Sequence, residues 1–498
     1  MRTRRTFSGG DGPEHFLSLN SVGCIPALIN SRIPPSIVAR YIESIRAIGV
    51  ITGAANRSAL VGEGPMEGIR FVIAETDRQP GQPVAMLTRN YPVIHKSDDI
   101  VMICHSSGTT GLPKAVMFGH KQFFLGKRRR LILFPASDKD RMLSALPHSH
   151  SAGISYLMTA TLLGLPTRVL SNTSRENLEK EIRTFQPTTV VSFPEVYSAL
   201  AEFPLPYRHF CSVRRWINTG DTAHEKHIRN LLTSAPDSQF VDGFGASELG
   251  MALFRRMSDK RTTTYGRCIG KPVGFAKAVV IDESGKRLPE NTIGLLALRS
   301  RTITPGYWNR TDLTLKSRID GYWLTEDLVY RDSNDQYFHV DRKVDAIATK
   351  AGPVYTLLLE EAIMKFSGVR ECTVVGIPID GYEKPVAIVT PDPTSTSSAN
   401  EILTLLSLDS TLQKLTREQG LACVVVLQGE GSRLPTGPTG KALKRVVREW
   451  LSENALGHGN RLGFVNVDTA WFCEQKLVTI TCTKPMNAVC CASNVPKR

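Results

Sequence analysis

The sequence predicts an α/β fold of two or three domains, and three observations carry that expectation. From Phe16 onward short β-rich runs alternate with longer helical patterns, the rhythm of parallel strands joined by crossover helices. Residues 265 to 340 are richer in strand-like sequence, punctuated by the turns "DESGK", "TPGYWN" and "DSNDQ". After "DRKVDA" the pattern changes to helix-like "LLLEEAIMKF", strand-like "ECTVVGI" and "KPVAIVT", and a helix at "KALKRVVREWL", a compact α+β unit. At 498 residues, 41% hydrophobic and 22% charged, the chain is too long for one core and has ordinary globular composition.

In chain order, residues 1–12, "MRTRRTFSGGDG", are basic, glycine-rich and aperiodic and read as an unstructured start; Asp11 and Glu14 argue against a mitochondrial presequence. "VMIC" reads as a strand entering the loop "HSSGTTGLPK", and a helix follows that loop. Within the helix the run "KRRR", Lys127 to Arg130, reads as a solvated face. "RMLSAL", "TVVSF", "RRWINTG" and "SQFVDGFG" read as further strands. These patterns divide the chain into residues 1–343, 344–456 and 457–498. The last segment holds four of the ten cysteines, shows little helical period, and reads as an atypical, disordered tail.

The net charge of +14 is spread along the chain, and no aromatic-plus-basic module or finger motif accompanies the one basic run, so no nucleic-acid partner is expected. The most apolar stretch, "SAGISYLMTATLLGLPTRV", carries Gly, Ser, Thr and Pro and reads as a buried helix, not a membrane span. The cysteines form no CxxC and no Cys/His zinc spacing, and no secretory segment begins the chain, which places it in the cytoplasm with reduced thiols. The final "VPKR" is not a peroxisomal tripeptide.

The loop is the most informative stretch. Its glycines let backbone N–H groups converge on a phosphate, its hydroxyls add donors, and a lysine supplies a compact positive charge. Ser106, Ser107, Gly108, Thr109, Thr110, Gly111 and Lys114 therefore read as a triphosphate cradle. The alternative phosphate loop, GxxxxGK followed by Ser or Thr, fails because Pro113 precedes and Ala115 follows the lysine.

With further motifs at long spacing, this loop resembles the adenylate-forming superfamily of acyl-CoA synthetases, aryl-CoA ligases, luciferases and nonribosomal peptide synthetase adenylation domains. The likeness covers residues 16 to 455. "LPHSHSAG" matches PxxHxxG and puts His150 beside the acyl pocket; a helix-capping or core histidine is the alternative. "DGFGASELG" matches YGxTE, so Gly243, Phe244, Gly245 and Ala246 would pack on adenine, Ser247 would bond the α-phosphate, and Glu248 with Thr110 would hold Mg2+. "NTGDTAH", with Gly220 and Asp221, resembles the segment along the adenine edge. "DGYWLTEDLVYRD" resembles GWxxTGD, giving Asp327 the ribose hydroxyls, with Glu326 where glycine is usual. "DRKVDAI" resembles the hinge, with Arg342 on ribose and Val344 at the pivot. "LPTGPTGKALKR" resembles PxTxxGKxxR, making Lys441 the residue that bridges carboxylate and α-phosphate.

The resemblance implies a large N-terminal domain of stacked α/β subdomains plus a β-rich subdomain, with a small mobile α+β C-terminal domain. It also implies a reaction: a carboxylate attacks the α-phosphorus of ATP, pyrophosphate leaves, and the acyl-adenylate passes its acyl group to a thiol. That thiol is coenzyme A or a carrier-protein phosphopantetheine; no carrier domain follows residue 455, which favours the former. "HSHSAG" has no aspartate to pair an α-ammonium, so the substrate is expected to be an acyl or aryl carboxylic acid. Three departures, an N-terminal part of only about a hundred residues before the loop, Glu326 and Val344, keep a catalytically weak nucleotide-binding relative as the alternative.

Overall fold

Residues 13–63, 68–74, 91–106, 112–133, 137, 139–201, 207–263, 265–366, 368–379, 381–392, 410, 420–421, 423–428, 433–437, 440–455, 466–469 and 475–479 are described by a computed structural model. They fall into two compact units: residues 1–339 with 436–441, and residues 340–435 with 442–498. Residues 1–12, read above as an unstructured start, lie outside the described residues.

In the large unit the hydroxyl-rich loop is framed by β1 (Ile100–His105) and β2 (Ala115–Gly119), which pair antiparallel. β1 also pairs in parallel with Ala27–Leu28 and is buried at five of its six positions. The helix expected after the loop is α1 (His120–Leu133). Its basic run corrects the sequence reading. Arg128 and Arg129 are exposed, but Lys127 and Arg130 are buried, with 1% and 7% of their surface accessible. Residues 123, 127 and 130 follow i, i+4, i+7 spacing, so both cations share the face that buries Phe123.

The main sheet has twelve strands. Its parallel half comprises β3 (Met142–Ser144), β4 (Thr167–Val169), β5 (Thr189–Ser192), β6 (Arg215–Thr219) and β7 (Gln239–Gly245), in the spatial order β4-β3-β5-β6-β7. β5, "TVVS", is buried at every position, as a central parallel strand covered on both faces must be. The connection from β3 runs through α2 (Ser151–Leu162), in which Gly153 through Ala160 are all buried, so this helix is packed all round. A second crossover helix, Arg175–Phe185, is amphipathic; Ser174 caps its start and Gln186 ends it in the left-handed conformation at φ 50°.

After β7 the sheet turns antiparallel through β8 (Ala252–Ser258), β9 (Cys268–Pro272), β10 (Lys277–Ile281), β11 (Gly294–Arg299), β12 (Tyr322–Arg331) and β13 (Tyr337–Arg342), in the spatial order β7-β8-β9-β13-β12-β11-β10. The α/β half followed by a β-rich half agrees with the expected class. β13 crosses the boundary between the units at residue 340.

The small unit is α+β. Strands Val369–Ile379 and Tyr382–Pro391 form a hairpin, and Cys423–Gln428 adds parallel to the second. Helix Thr356–Ile363 buries Leu359 and Ile363 in a core with Val374, Val389 and Val426. A buried polar group is balanced there: Lys444 Nζ lies 2.9 Å from Glu360 Oε1, which also accepts the Val374 N–H at 2.8 Å. In the stretch read above as a tail, Asn466–Thr469 and Gln475–Thr479 are strands at the edge of this sheet.

Candidate active site

Parallel strands present their carboxyl ends on one side of a sheet, and that is where open α/β sheets bind ligands. Here the ends of β3, β5, β6 and β7 lead into His150, Phe193, Gly220–Asp221 and Ala246–Glu248 respectively. The β7 ladder breaks at a bulge between Phe244 and Gly245, which turns the chain away from β8 into the short turn Ser247–Leu249. Gly245 admits no side chain: a Cβ would lie 2.7 Å from Ala252 Cα. Gly220 has φ +92°, and a Cβ there would lie 2.7 Å from the Phe193 ring.

Five of the singled-out side chains gather at this edge. Ser247 Oγ lies 3.1 Å from Ser151 Oγ at the start of α2. Phe244 packs against His339 and Phe254 at ring separations of 5.3 and 5.8 Å. Lys441 Nζ lies 3.5 Å from Asp221 Oδ2. Although burial opposes ionisation, Lys441, Arg267 and His339 hold the Asp221 carboxyl well below the usual carboxylate range. Asp327 is buried on β12, its Oδ1 3.4 Å from His339 Nε2 on the adjoining β13.

The phosphate-loop ends are tied together. The Ser106 N–H donates to the Lys114 carbonyl at 2.9 Å, and the Lys114 N–H to Ser106 Oγ at 3.0 Å. His105 Nε2 accepts the Asn30 N–H at 3.2 Å, which leaves its proton on Nδ1, facing the Ser106 carbonyl at 3.2 Å. Ser107, Gly108, Thr109, Thr110 and Gly111 lie outside the described residues.

The residue that links this loop to Glu248 is Tyr307, which the sequence reading left inside the turn "TPGYWN". Its hydroxyl donates to Glu248 Oε1 at 3.0 Å, and Lys114 Nζ sits 5.3 Å from its ring centre. Burial first, then Glu248, push the phenol pKa above its ordinary value, so Tyr307 stays a donor. The segment is stitched to both sides: the Thr304 N–H donates to the Glu248 carbonyl at 2.7 Å, and the Met117 N–H to the Gly306 carbonyl at 3.0 Å. An aromatic directly after Pro-Gly was the only available signal.

His150 caps α2, Nδ1 accepting the Ala152 N–H at 3.1 Å, and its ring meets Phe193 edge-on at 5.1 Å. Burial, then the nearby His105 and Lys441, push its pKa down to about 3. His148 borders an apolar cavity of ≈ 510 Å³, and burial pushes its pKa down to about 4. These folded values lie below the ordinary ~6.5 of an unfolded histidine, so the stability they contribute is complete above pH ~6.5 and drains away as pH falls toward them. The urea midpoint is therefore expected to drop between pH 7 and pH 4.5, and less steeply in His148→Leu; equal slopes would contradict the assignment.

A comparison with protein families matches residues 13–308 to the AMP-binding enzymes. The chain belongs to the AMP-binding enzyme family. Among curated relatives, it is 35% identical over 382 residues to 3-aminoavenalumate diazotase from Streptomyces sp, covering 74% of this chain and 67% of that protein. It is 28% identical over 482 residues to 3-hydroxybenzoate–CoA ligase from Aromatoleum sp. (strain CIB), covering 91% and 88%. Among solved structures, ATP-bound MatB from Rhodopseudomonas palustris superposes with a TM-score of 0.75 at 21% identity, over 88% of this chain and 86% of that one. That likeness is one of fold.

Within this AMP-binding fold, Glu326 explains its own oddity. It is exposed and sits at φ +64°, the left-handed region that favours glycine. The departure is thus a backbone matter as much as a charge. Glu326→Gly is expected to raise stability by about 1 kcal/mol, the left-handed penalty less the entropy of glycine. A denaturation midpoint unchanged from the parent would contradict that. Arg342 belongs to the small unit, where its N–H donates to Asp341 Oδ1 at 2.8 Å, and Val344 is exposed.

Among the described residues no three His, Cys, Asp or Glu side chains cluster as a metal site. The donors suit magnesium bound mainly through nucleotide phosphates with one protein carboxylate, and half-buried Glu248, anchored through one oxygen by Tyr307, is such a carboxylate. No helix among the described residues is long and apolar enough to cross a membrane.

Proposed function

We propose that the protein activates a small acyl or aryl carboxylic acid with ATP and transfers the acyl group to coenzyme A. The observation that carries this reading is Lys441, which returns from far along the chain to the carboxyl end of β6 beside Asp221. A compact cation there meets both partners of the first half-reaction and offsets the repulsion between carboxylate and triphosphate. A carboxylate oxygen bonds to the α-phosphorus as the bond to the β-phosphate oxygen breaks and pyrophosphate departs. Ser106 and Lys114 hold the departing phosphates, Ser247 the α-phosphate, Asp327 and Arg342 the ribose, and the Gly243–Ala246 strip the adenine. Magnesium, when bound, neutralises phosphate charge. Tyr307 fixes the Glu248 carboxylate that would hold it. The thiol then attacks the acyl carbon, AMP leaves, and the thiol proton passes to solvent.

The 3-hydroxybenzoate–CoA ligase likeness supports an aryl acid and coenzyme A; a carrier-protein phosphopantetheine is the alternative acceptor. The free thiols of Cys24, Cys104, Cys211, Cys268 and Cys372 suit a cytoplasmic setting. A second reading is favoured by the diazotase likeness: a nitrogen oxyanion in place of the carboxylate, activated by the same attack and captured by an aryl amine. Product analysis separates them. Aryl acids with ATP and coenzyme A should give AMP, pyrophosphate and a thioester. AMP formation that needs nitrite and an aryl amine instead would replace the first reading with the second, and ADP would exclude both.

A further inference from the structure

β13 lies beside β12 and brings a histidine against the nucleotide edge of the site. The His339 N–H donates to the Arg267 carbonyl at 3.1 Å, which fixes the backbone, and only 5% of the side chain is accessible. Its ring packs against Phe244 at 5.3 Å, tilted by 56°, and its Nε2 lies 3.4 Å from Asp327 Oδ1. Neither ring nitrogen makes a hydrogen bond among the described residues.

A buried imidazole with both nitrogens unmet is costly, because a neutral ring carries one donor and one acceptor that water would otherwise satisfy. An aliphatic side chain of similar size would fill the space beside Phe244 without that cost. The polar ring therefore calls for a use, and its neighbours supply one. The Nε2–Oδ1 separation of 3.4 Å is a little beyond the ~2.7–3.2 Å of an N–H···O hydrogen bond, so a small turn of the carboxylate completes it. His339 itself needs no access to a ligand. Phe244 is half-buried and the Asp327 side chain keeps 11% of its surface exposed, so the two groups it touches reach what it does not. A carboxylate with one oxygen held by an N–H keeps its other oxygen for hydroxyl donors.

We infer that His339 is a positioning residue of the nucleotide site: its Nε2–H orients the Asp327 carboxylate toward the ribose hydroxyls while its ring backs Phe244. The inference rests on the proposed ATP-dependent reading for the role of Asp327. Because His339 acts through one carboxylate, its effect is largest for nucleotides that carry the hydroxyls Asp327 accepts.

The test is the binding of ATP and of 2′-deoxy-ATP, each with magnesium, by titration calorimetry without any acid. The wild type is expected to prefer ATP by about tenfold, the worth of one hydrogen bond to a charged group. His339→Leu should weaken ATP by about tenfold and 2′-deoxy-ATP by about threefold or less, so that the preference shrinks. In pyrophosphate exchange the loss should appear in the KM for ATP far more than in kcat. His339→Gln, which keeps an N–H near the Nε2 position, should recover most of the affinity; His339→Asn, whose amide lies nearer Nδ1, should not. On an Asp327→Asn background His339→Leu should cost no more than about twofold further. Equal losses for both nucleotides, or losses that add in the double variant, describe a general packing role and overturn the inference, as does an unchanged ATP affinity in His339→Leu. Should that variant fail to fold, the other two decide: recovery confined to His339→Gln sustains the inference, and equal affinities overturn it. Absence of acid-dependent exchange would remove the carboxylate-activating reading alone, since binding is read without acid. A wild type that binds neither nucleotide overturns both.

Discussion

Lys441→Ala is expected to slow acid-dependent formation of the adenylate on the order of 10²-fold or more, while changing ATP affinity by no more than about threefold, because the contact is made chiefly in the transition state. The reason is local. The ammonium is only one-third exposed, 3.5 Å from Asp221, at the carboxyl end of a parallel strand where negative charge is to be gathered. Its removal leaves Asp221 facing Arg267 and His339, with the Thr222 N–H donating to its Oδ1 at 2.8 Å. The Asp221 pKa would then rise toward the ordinary range. The stability it contributes, present above about pH 4 and lost as pH falls through its lowered folded value, should shrink. Lys441→Arg keeps the charge but not the compact ammonium and should recover part of the rate. Rapid-quench measurement of the first turnover checks this; a variant within threefold of the parent would remove Lys441 from the chemistry.

Glu248→Gln should cost a comparable factor, on the order of 10²-fold at limiting magnesium, with partial recovery as magnesium is raised. The side chain keeps its shape and can still accept from Tyr307, so the variant removes charge and little else. Tyr307→Phe tests the support: deleting the 3.0 Å bond leaves Glu248 less fixed and should cost about tenfold or less. A magnesium dependence that is identical in the parent and in Glu248→Gln would contradict the assignment.

The sequence made the alternation of strands and helices in the parallel half and the hydroxyl-rich loop ending in Lys114 legible because both depend on local pattern: β-branched runs between helices, and glycine with hydroxyls ending in a cation; the spatial order of the strands and the Ser106–Lys114 tie are tertiary and were not legible. It also offered capping as the alternative role of His150, and His150 does cap α2. Tyr307 was hidden because its neighbours, Pro305 and Gly306, speak only of a turn, while its use comes from a tertiary stitch to β2 and Glu248. The pairing of Asp327 with His339 depends on which strands lie side by side, which local pattern does not state. "KRRR" misled for a different reason. Four cations in a row conceal the helical period, and only the fold reveals that the first and last turn inward with Phe123 while the middle two face water. Glu326 is legible only through its backbone, since φ +64° is a property of the chain path and not of the side chain.

The most direct test of the central claim is exchange of labelled pyrophosphate into ATP across a panel of aryl, short-chain and dicarboxylic acids, with Lys441→Ala alongside. Exchange that requires one class of acid and collapses in the variant is the predicted result. Absence of exchange with every acid, in a protein that still binds ATP, would contradict it.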